Sequence, residues 1–163
     1  MKVFNAYYSR TGNTGGIAKE IEKRLGENSF QVDTWKIKPN IRSGFLEMLL
    51  NSIRNKGVAV EYIDLKPAFY DYFIFGTPVW AANPASPAIE FLNRLPDLTG
   101  KKVAIYVTCN GMGGKRALQT MERNTEHANG ELIAKHLFLA QRPPEELREE
   151  VQKMLEVFTP QNY

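Results

Sequence analysis

Lys2-Val3-Phe4-Asn5-Ala6-Tyr7-Tyr8, followed by Ser9-Arg10-Thr11-Gly12-Asn13-Thr14, is the stretch from which the rest of this chain is read. The first seven residues form an apolar, β-prone run. The next six place hydroxyls at Ser9, Thr11 and Thr14, an amide at Asn13, and a glycine at Gly12 where the chain must turn tightly. Ile17, Ile21 and Leu25 then recur at helical spacing with Ala18 beside them, and Gly26 is expected to end that helix. A helix that starts in such a turn leaves its first backbone N–H groups unpaired, and its dipole favours an anion there. Hydroxyl donors beside those N–H groups suit a monoester phosphate. No lysine stands where a nucleotide-hydrolysing loop requires one, and Gly-x-Gly-x-x-Gly is absent.

Strand and helix patterns alternate from there to the end. Residues 30–37, with Val32, Thr34 and Trp35, read as a second strand. Tyr72-Phe73-Ile74-Phe75 is a third, a continuous apolar run of the kind buried on both faces of a parallel sheet. Residues 102–107 and 131–138 supply a fourth and a fifth. Helices are expected around Ala88, Ile89, Phe91, Leu92 and Leu95, over about 115–127 with Leu118 and Met121 inward, and over 145–158. Five strands alternating with helices imply an α/β three-layer sandwich with right-handed crossovers and a five-stranded parallel sheet. No repeat, low-complexity run or linker interrupts residues 1–163, so one domain is expected. Ligands of such sheets sit beyond the carboxyl ends of the strands. That directs attention to the loops over 9–14, 76–87 and 108–114.

Composition excludes several other classes. The chain has 163 residues, 43% of them apolar and 24% charged, enough for a core without staples. Its single cysteine, Cys109, cannot form an internal disulfide. The run before Ser9 is too short for a signal-peptide core, and no stretch approaches the roughly 20 apolar residues of a membrane span. A cytoplasmic location without a membrane span is therefore expected. The net charge of +3 comes from bases interleaved with acids, as in Glu22-Lys23-Arg24, so no nucleic-acid stripe is present. His127 and His136 lack companions at ligand spacing, so no metal site is expected, and no Ser-His-Asp arrangement is evident.

Ser-x-Thr-Gly-Asn-Thr after an N-terminal strand resembles the phosphate loop of flavodoxins and flavodoxin-like flavoproteins. Gly76-Thr77-Pro78-Val79-Trp80 is similar to that family's segment flanking the isoalloxazine. Thr108-Cys109-Asn110-Gly111-Met112-Gly113-Gly114 lies where its other flavin-contacting loop follows the fourth strand. The resemblance covers essentially the whole chain and implies strand order 2-1-3-4-5 with FMN as cofactor. Carried over by position, Ser9, Arg10, Thr11, Gly12, Asn13 and Thr14 would hold the phosphate. Thr77, Pro78, Val79 and Trp80 would line one side of the ring, and Cys109, Asn110, Gly111, Met112 and Gly113 its edge.

The third loop departs from the pattern, because many electron-shuttling flavodoxins place a tyrosine there and this chain has no aromatic. One ring face is then open, unless Met112 covers it; Met112 reads equally as a loop-tip residue. Cys109 reads as a small buried residue rather than a redox thiol. Residues 43–56 form an amphipathic helix with Phe45, Met48, Leu49 and Ile53 on one face and Leu46 and Leu50 widening it. That helix packs on the sheet, presents Leu46 or Leu50 to a second subunit, or roofs the flavin edge.

The resemblance implies electron transfer through non-covalently bound FMN to a redox partner protein, with no catalytic side chain invoked. An NAD(P)H- or quinone-linked FMN oxidoreductase is the alternative. A flavin-less interaction module is a distant one, and a receiver domain is disfavoured because Asn5, Tyr7, Ser9 and Thr77 occupy the positions where it needs acids.

Overall fold

The computed structural model describes residues 1–40 and 42–158. Its strands are β1 (Lys2–Tyr7), β2 (Gln31–Lys36), β3 (Tyr72–Trp80), β4 (Asn83–Pro84), β5 (Lys102–Cys109) and β6 (Glu131–Leu139). Its helices are α1 (Asn13–Glu27), α2 (Phe45–Ile53), α3 (Ser86–Asn93), α4 (Gly114–His127) and α5 (Pro144–Leu155). Five strands pair in parallel in the order β2-β1-β3-β5-β6, while β4 pairs antiparallel with the end of β3. This is the expected order, with one short strand added to the count.

Period-two alternation divides each central strand between two cores. On one face, Val3, Tyr72, Ile74, Ala104 and Tyr106 meet Ile17, Ile21 and Leu25 of α1 and Val151, Met154 and Leu155 of α5. On the other, Phe4, Ala6, Phe73, Phe75, Ile105 and Val107 meet Ala88, Phe91 and Leu92 of α3 and Ala117, Leu118 and Met121 of α4. Each large apolar side chain buried this way contributes roughly 1.5–3 kcal/mol. The carboxyl ends of β1, β3 and β5 are thereby fixed side by side.

The structure corrects several expected boundaries, among them β5, which runs through Thr108 and Cys109 rather than ending at Val107, and α5, which ends at Leu155. β3 does not stop at Phe75 but continues through Gly76-Thr77-Pro78, which pair with Tyr106, Val107 and Thr108. Gly76 is a site of close approach rather than a loop start, since a Cβ there would lie 2.0 Å from the Tyr106 ring. α1 runs past Gly26 to Glu27, and Ser29, at φ 64°, takes the left-handed position beyond it. Leu95 lies beyond α3, its N–H reaching back to the Leu92 carbonyl. α2 is shorter than expected and buries Met48 and Ser52, leaving Phe45 and Ile53 exposed.

The long connection from β2 to β3 is held as well. Pro39 and Val60 form an isolated antiparallel bridge, and Val60, Ile63 and Leu65 pack against the α3 side of the core. At the sheet edge, Lys2 and the Tyr70 hydroxyl both reach the Asp33 carboxylate, at 2.8 Å each.

Candidate functional site

β1 delivers the first loop to the carboxyl edge of the sheet, where the Tyr8 N–H donates to the Gly76 carbonyl at 3.0 Å. The Gly12 N–H donates to Ser9 Oγ at 3.1 Å, closing the turn, and Gly12 adopts φ 104°, a conformation glycine takes without steric cost. α1 starts at Asn13 without a side-chain cap. Helix geometry therefore leaves the N–H groups of Asn13, Thr14 and Gly15 without intrahelical acceptors. The Thr14 and Thr108 hydroxyls share a 2.6 Å hydrogen bond, and both residues are buried, which ties the loop to the end of β5. Ser9 and Thr14 thus shape the loop from below. Arg10, Thr11 and Asn13 are exposed.

The second loop is a hairpin. Thr77 is fully buried; its hydroxyl accepts from the Ala85 N–H at 3.1 Å and donates to the Pro78 carbonyl at 3.0 Å. It pins the hairpin and has no surface to offer a ligand, whereas Pro78, Val79 and Trp80 are half-buried. The turn consists of Ala81 (φ 49°) and Ala82 (φ 63°), an arrangement that costs each L-residue roughly 1–2 kcal/mol. Neighbouring contacts hold it there. The Asn83 amide donates to the Ser52 carbonyl at 2.9 Å, and the Ser86 N–H donates to Ser52 Oγ at 2.7 Å. Ser52 and Ser86 hydroxyls in turn donate to the Met48 carbonyl, at 3.0 and 2.8 Å. By this route α2 is docked onto the hairpin.

The third loop touches the second. Gly113 caps α4 at φ 90°, and a Cβ there would lie 2.6 Å from Ala82 Cα, so the two loops form one wall only because residue 113 is glycine. Cys109 is buried, with its thiol 3.7 Å from the Gly111 carbonyl. Asn110 and Gly111 are exposed, and Met112 is a loop-tip residue at 95% exposure.

Two aromatic residues missing from the sequence-based set complete the edge. Trp80 meets Tyr8 edge-on, with ring centroids 5.5 Å apart, and Phe45 edge-on at 5.4 Å. The Arg10 guanidinium lies 3.8 Å over the Phe45 ring. Burial pushes the Tyr8 hydroxyl pKa up, and Arg10 offsets part of that rise. The sequence signal for Phe45 was a large aromatic directly after Gly44, at the start of a helix whose outward residues Leu46 and Leu50 are apolar. Among the described residues no group of three metal-binding side chains occurs, and no helix is long and apolar enough to cross a membrane.

Comparison with known proteins supplies a family and a fold. Residues 1–142 match the model of the family described as NADPH-dependent FMN reductase. An NAD(P)H quinone oxidoreductase of Candida albicans is 22% identical over 130 residues, 76% of this chain; the chain spans only 44% of that relative's length. Among solved structures, a flavoprotein of Lactobacillus acidophilus in complex with FMN superposes with a TM-score of 0.72 at 18% identity, covering 95% of this chain and 99% of that one. Flavodoxin 2 of Bacillus cereus gives 0.67 at 20% identity, with 97% of each chain covered. At these identities the solved structures establish the flavodoxin-like fold.

Proposed function

The chain belongs to the NADPH-dependent FMN reductase family, and from that premise we propose that it holds FMN at the carboxyl end of its sheet and uses it to pass electrons from NAD(P)H to a small acceptor such as a quinone. The observation that carries this reading is the loop over 9–14. It offers open N–H groups and exposed Thr11 and Asn13 side chains. Through the Tyr8–Gly76 hydrogen bond and the Tyr8–Trp80 ring contact it is joined to the segment carrying the half-buried apolar residues Pro78, Val79 and Trp80. A phosphate fits the first feature and a flat ring the second.

FMN, when bound, supplies the redox chemistry. The protein's part is to bind and orient. In this reading the Asn13, Thr14 and Gly15 N–H groups and the side chains of Thr11 and Asn13 hold the phosphate, while Ser9 and Thr14 keep the turn in shape. Pro78, Val79 and Trp80 flank the ring, and the backbone from Asn110 to Gly113 meets its edge. Thr77 acts only by fixing the hairpin, and Cys109 by leaving room behind the third loop.

The sequence alone favoured an electron carrier serving a partner protein, with the reductase as alternative. The family match and the Candida relative support the reductase instead. The third loop supports it too, since residues 108–114 hold no aromatic side chain to sandwich a ring as the tyrosine of many electron-shuttling flavodoxins would, and Met112 is 95% exposed. The test is to load the purified protein with FMN and add NADPH without oxygen. Loss of the visible flavin absorbance within seconds, with no partner protein present, is the expected result. Flavin that stays oxidised until another protein is supplied would return the carrier reading to first place.

A further inference from the structure

Arg10 belongs to the first loop, yet its guanidinium lies over the Phe45 ring at 3.8 Å. Phe45 meets Trp80 edge-on, and Trp80 meets Tyr8. The cation therefore stands on the hairpin side of the loop, at one end of a continuous array. Arg24, Arg94 and Arg142 are each held by a glutamate, but among the described residues no carboxylate pairs with Arg10. An exposed guanidinium gains only about 0.5–1 kcal/mol from a ring face. Its N–H groups, which lie in the guanidinium plane, remain available, and a hydrogen bond to an arriving anion is worth more.

Phe45, whose ring the cation covers, and Leu46 and Leu50 of the same helix are exposed apolar side chains, as is Met112 on the third loop. A small polar anion gains nothing from apolar side chains like these, and a neutral ring gains from Arg10 only a ring-face contact of about 0.5–1 kcal/mol. A flat ring bearing an anionic group uses both.

We propose that Arg10, Phe45 and Trp80 form the specificity-determining edge of the site, selecting as second reactant planar aromatic compounds that carry an anionic group. The proposal rests on the FMN oxidoreductase reading above. Two sources share the chemistry: a nicotinamide dinucleotide with its phosphates, and a quinone bearing a sulfonate or carboxylate.

The test uses the FMN-loaded protein and two redox-inert probes, 2-naphthalenesulfonate and 2-naphthol, titrated through their perturbation of the bound flavin's visible spectrum. Arg10→Gln is expected to weaken the sulfonate about tenfold and the naphthol less than twofold. Arg10→Lys should recover part of the loss, and Phe45→Leu should weaken both probes. The KM values for NADPH and for anthraquinone-2-sulfonate in Arg10→Gln then identify the source, a rise in either one supporting the proposal. Equal losses for both probes would overturn it. So would Arg10→Gln weakening FMN but not riboflavin, which would put the guanidinium on the cofactor phosphate. Failure of the wild-type chain to take up FMN would overturn the underlying reading as well; uptake without charge discrimination overturns this proposal alone.

Discussion

The turn from Ser9 to Thr14 and the rim of Phe45, Trp80 and Met112 share one end of the sheet but are built on different physical terms. The turn is local and polar: Ser9 closes it onto Gly12, and Thr14 ties it to Thr108. Its contents follow from what six consecutive residues can do at a helix start. The rim is long-range and apolar, assembled from α2, the hairpin and the third loop, with Phe45 at 40% and Met112 at 95% exposure. In the proposed function the first part anchors and the second discriminates.

Substitutions can break that division. The largest expected effect is Thr11→Asp, which sets a carboxylate against the bound phosphate and removes a donor. FMN affinity, followed by quenching of flavin fluorescence, should fall roughly a thousandfold, with riboflavin affected far less. Gly113→Ala comes next. Its Cβ would meet Ala82 in a backbone conformation unfavourable to L-residues, so urea unfolding should show a loss of about 3 kcal/mol. Gly12→Ala sharpens the contrast: φ is again positive, but nothing lies within 4 Å of the added Cβ, and the loss should be only about 1–2 kcal/mol.

The smallest effect lies at the sheet edge, away from both regions. Hydrogen bonds from Lys2 and Tyr70 hold the Asp33 carboxyl below its ordinary pKa, while the Tyr70 hydroxyl is pushed up to about 12 and stays protonated. Because the folded-state pKa of Asp33 is the lower one, its contribution is present above the ordinary carboxylate pKa of about 4 and is lost as pH falls through the depressed value. The Asp33 side chain is 41% exposed, so screening keeps this contribution to a few tenths of a kcal/mol. Urea midpoints at pH 6 and pH 3 should differ slightly more for the wild type than for Tyr70→Phe.

The same contrast explains what could be read from the sequence. The strands and the turn of the first loop were legible because each is marked by its own residues: apolar runs, a hydroxyl-rich turn, helical spacing; the strand order came from the family resemblance. Gly76 was misread as the start of a loop because the reason for it is the Tyr106 ring on the neighbouring strand. Thr77 was assigned to the ring wall through the family resemblance, and no local pattern shows that its hydroxyl is spent on Ala85 and Pro78. Phe45 was placed on an apolar helix face whose partner was left open, since no local pattern shows that a helix begun there will meet Arg10 and Trp80. Anchoring is written in short range, whereas the rim exists only once the connection from β2 to β3 has folded back over the hairpin.

The proposed site rests on the turn from Ser9 to Thr14 holding a flavin's phosphate. Side-by-side titration of the apoprotein with FMN and with riboflavin, followed by flavin fluorescence, tests that most directly. FMN should bind at least about 100-fold more tightly than riboflavin, as several charge-assisted hydrogen bonds require. Equal affinity for the two flavins, or no binding of either, would contradict it.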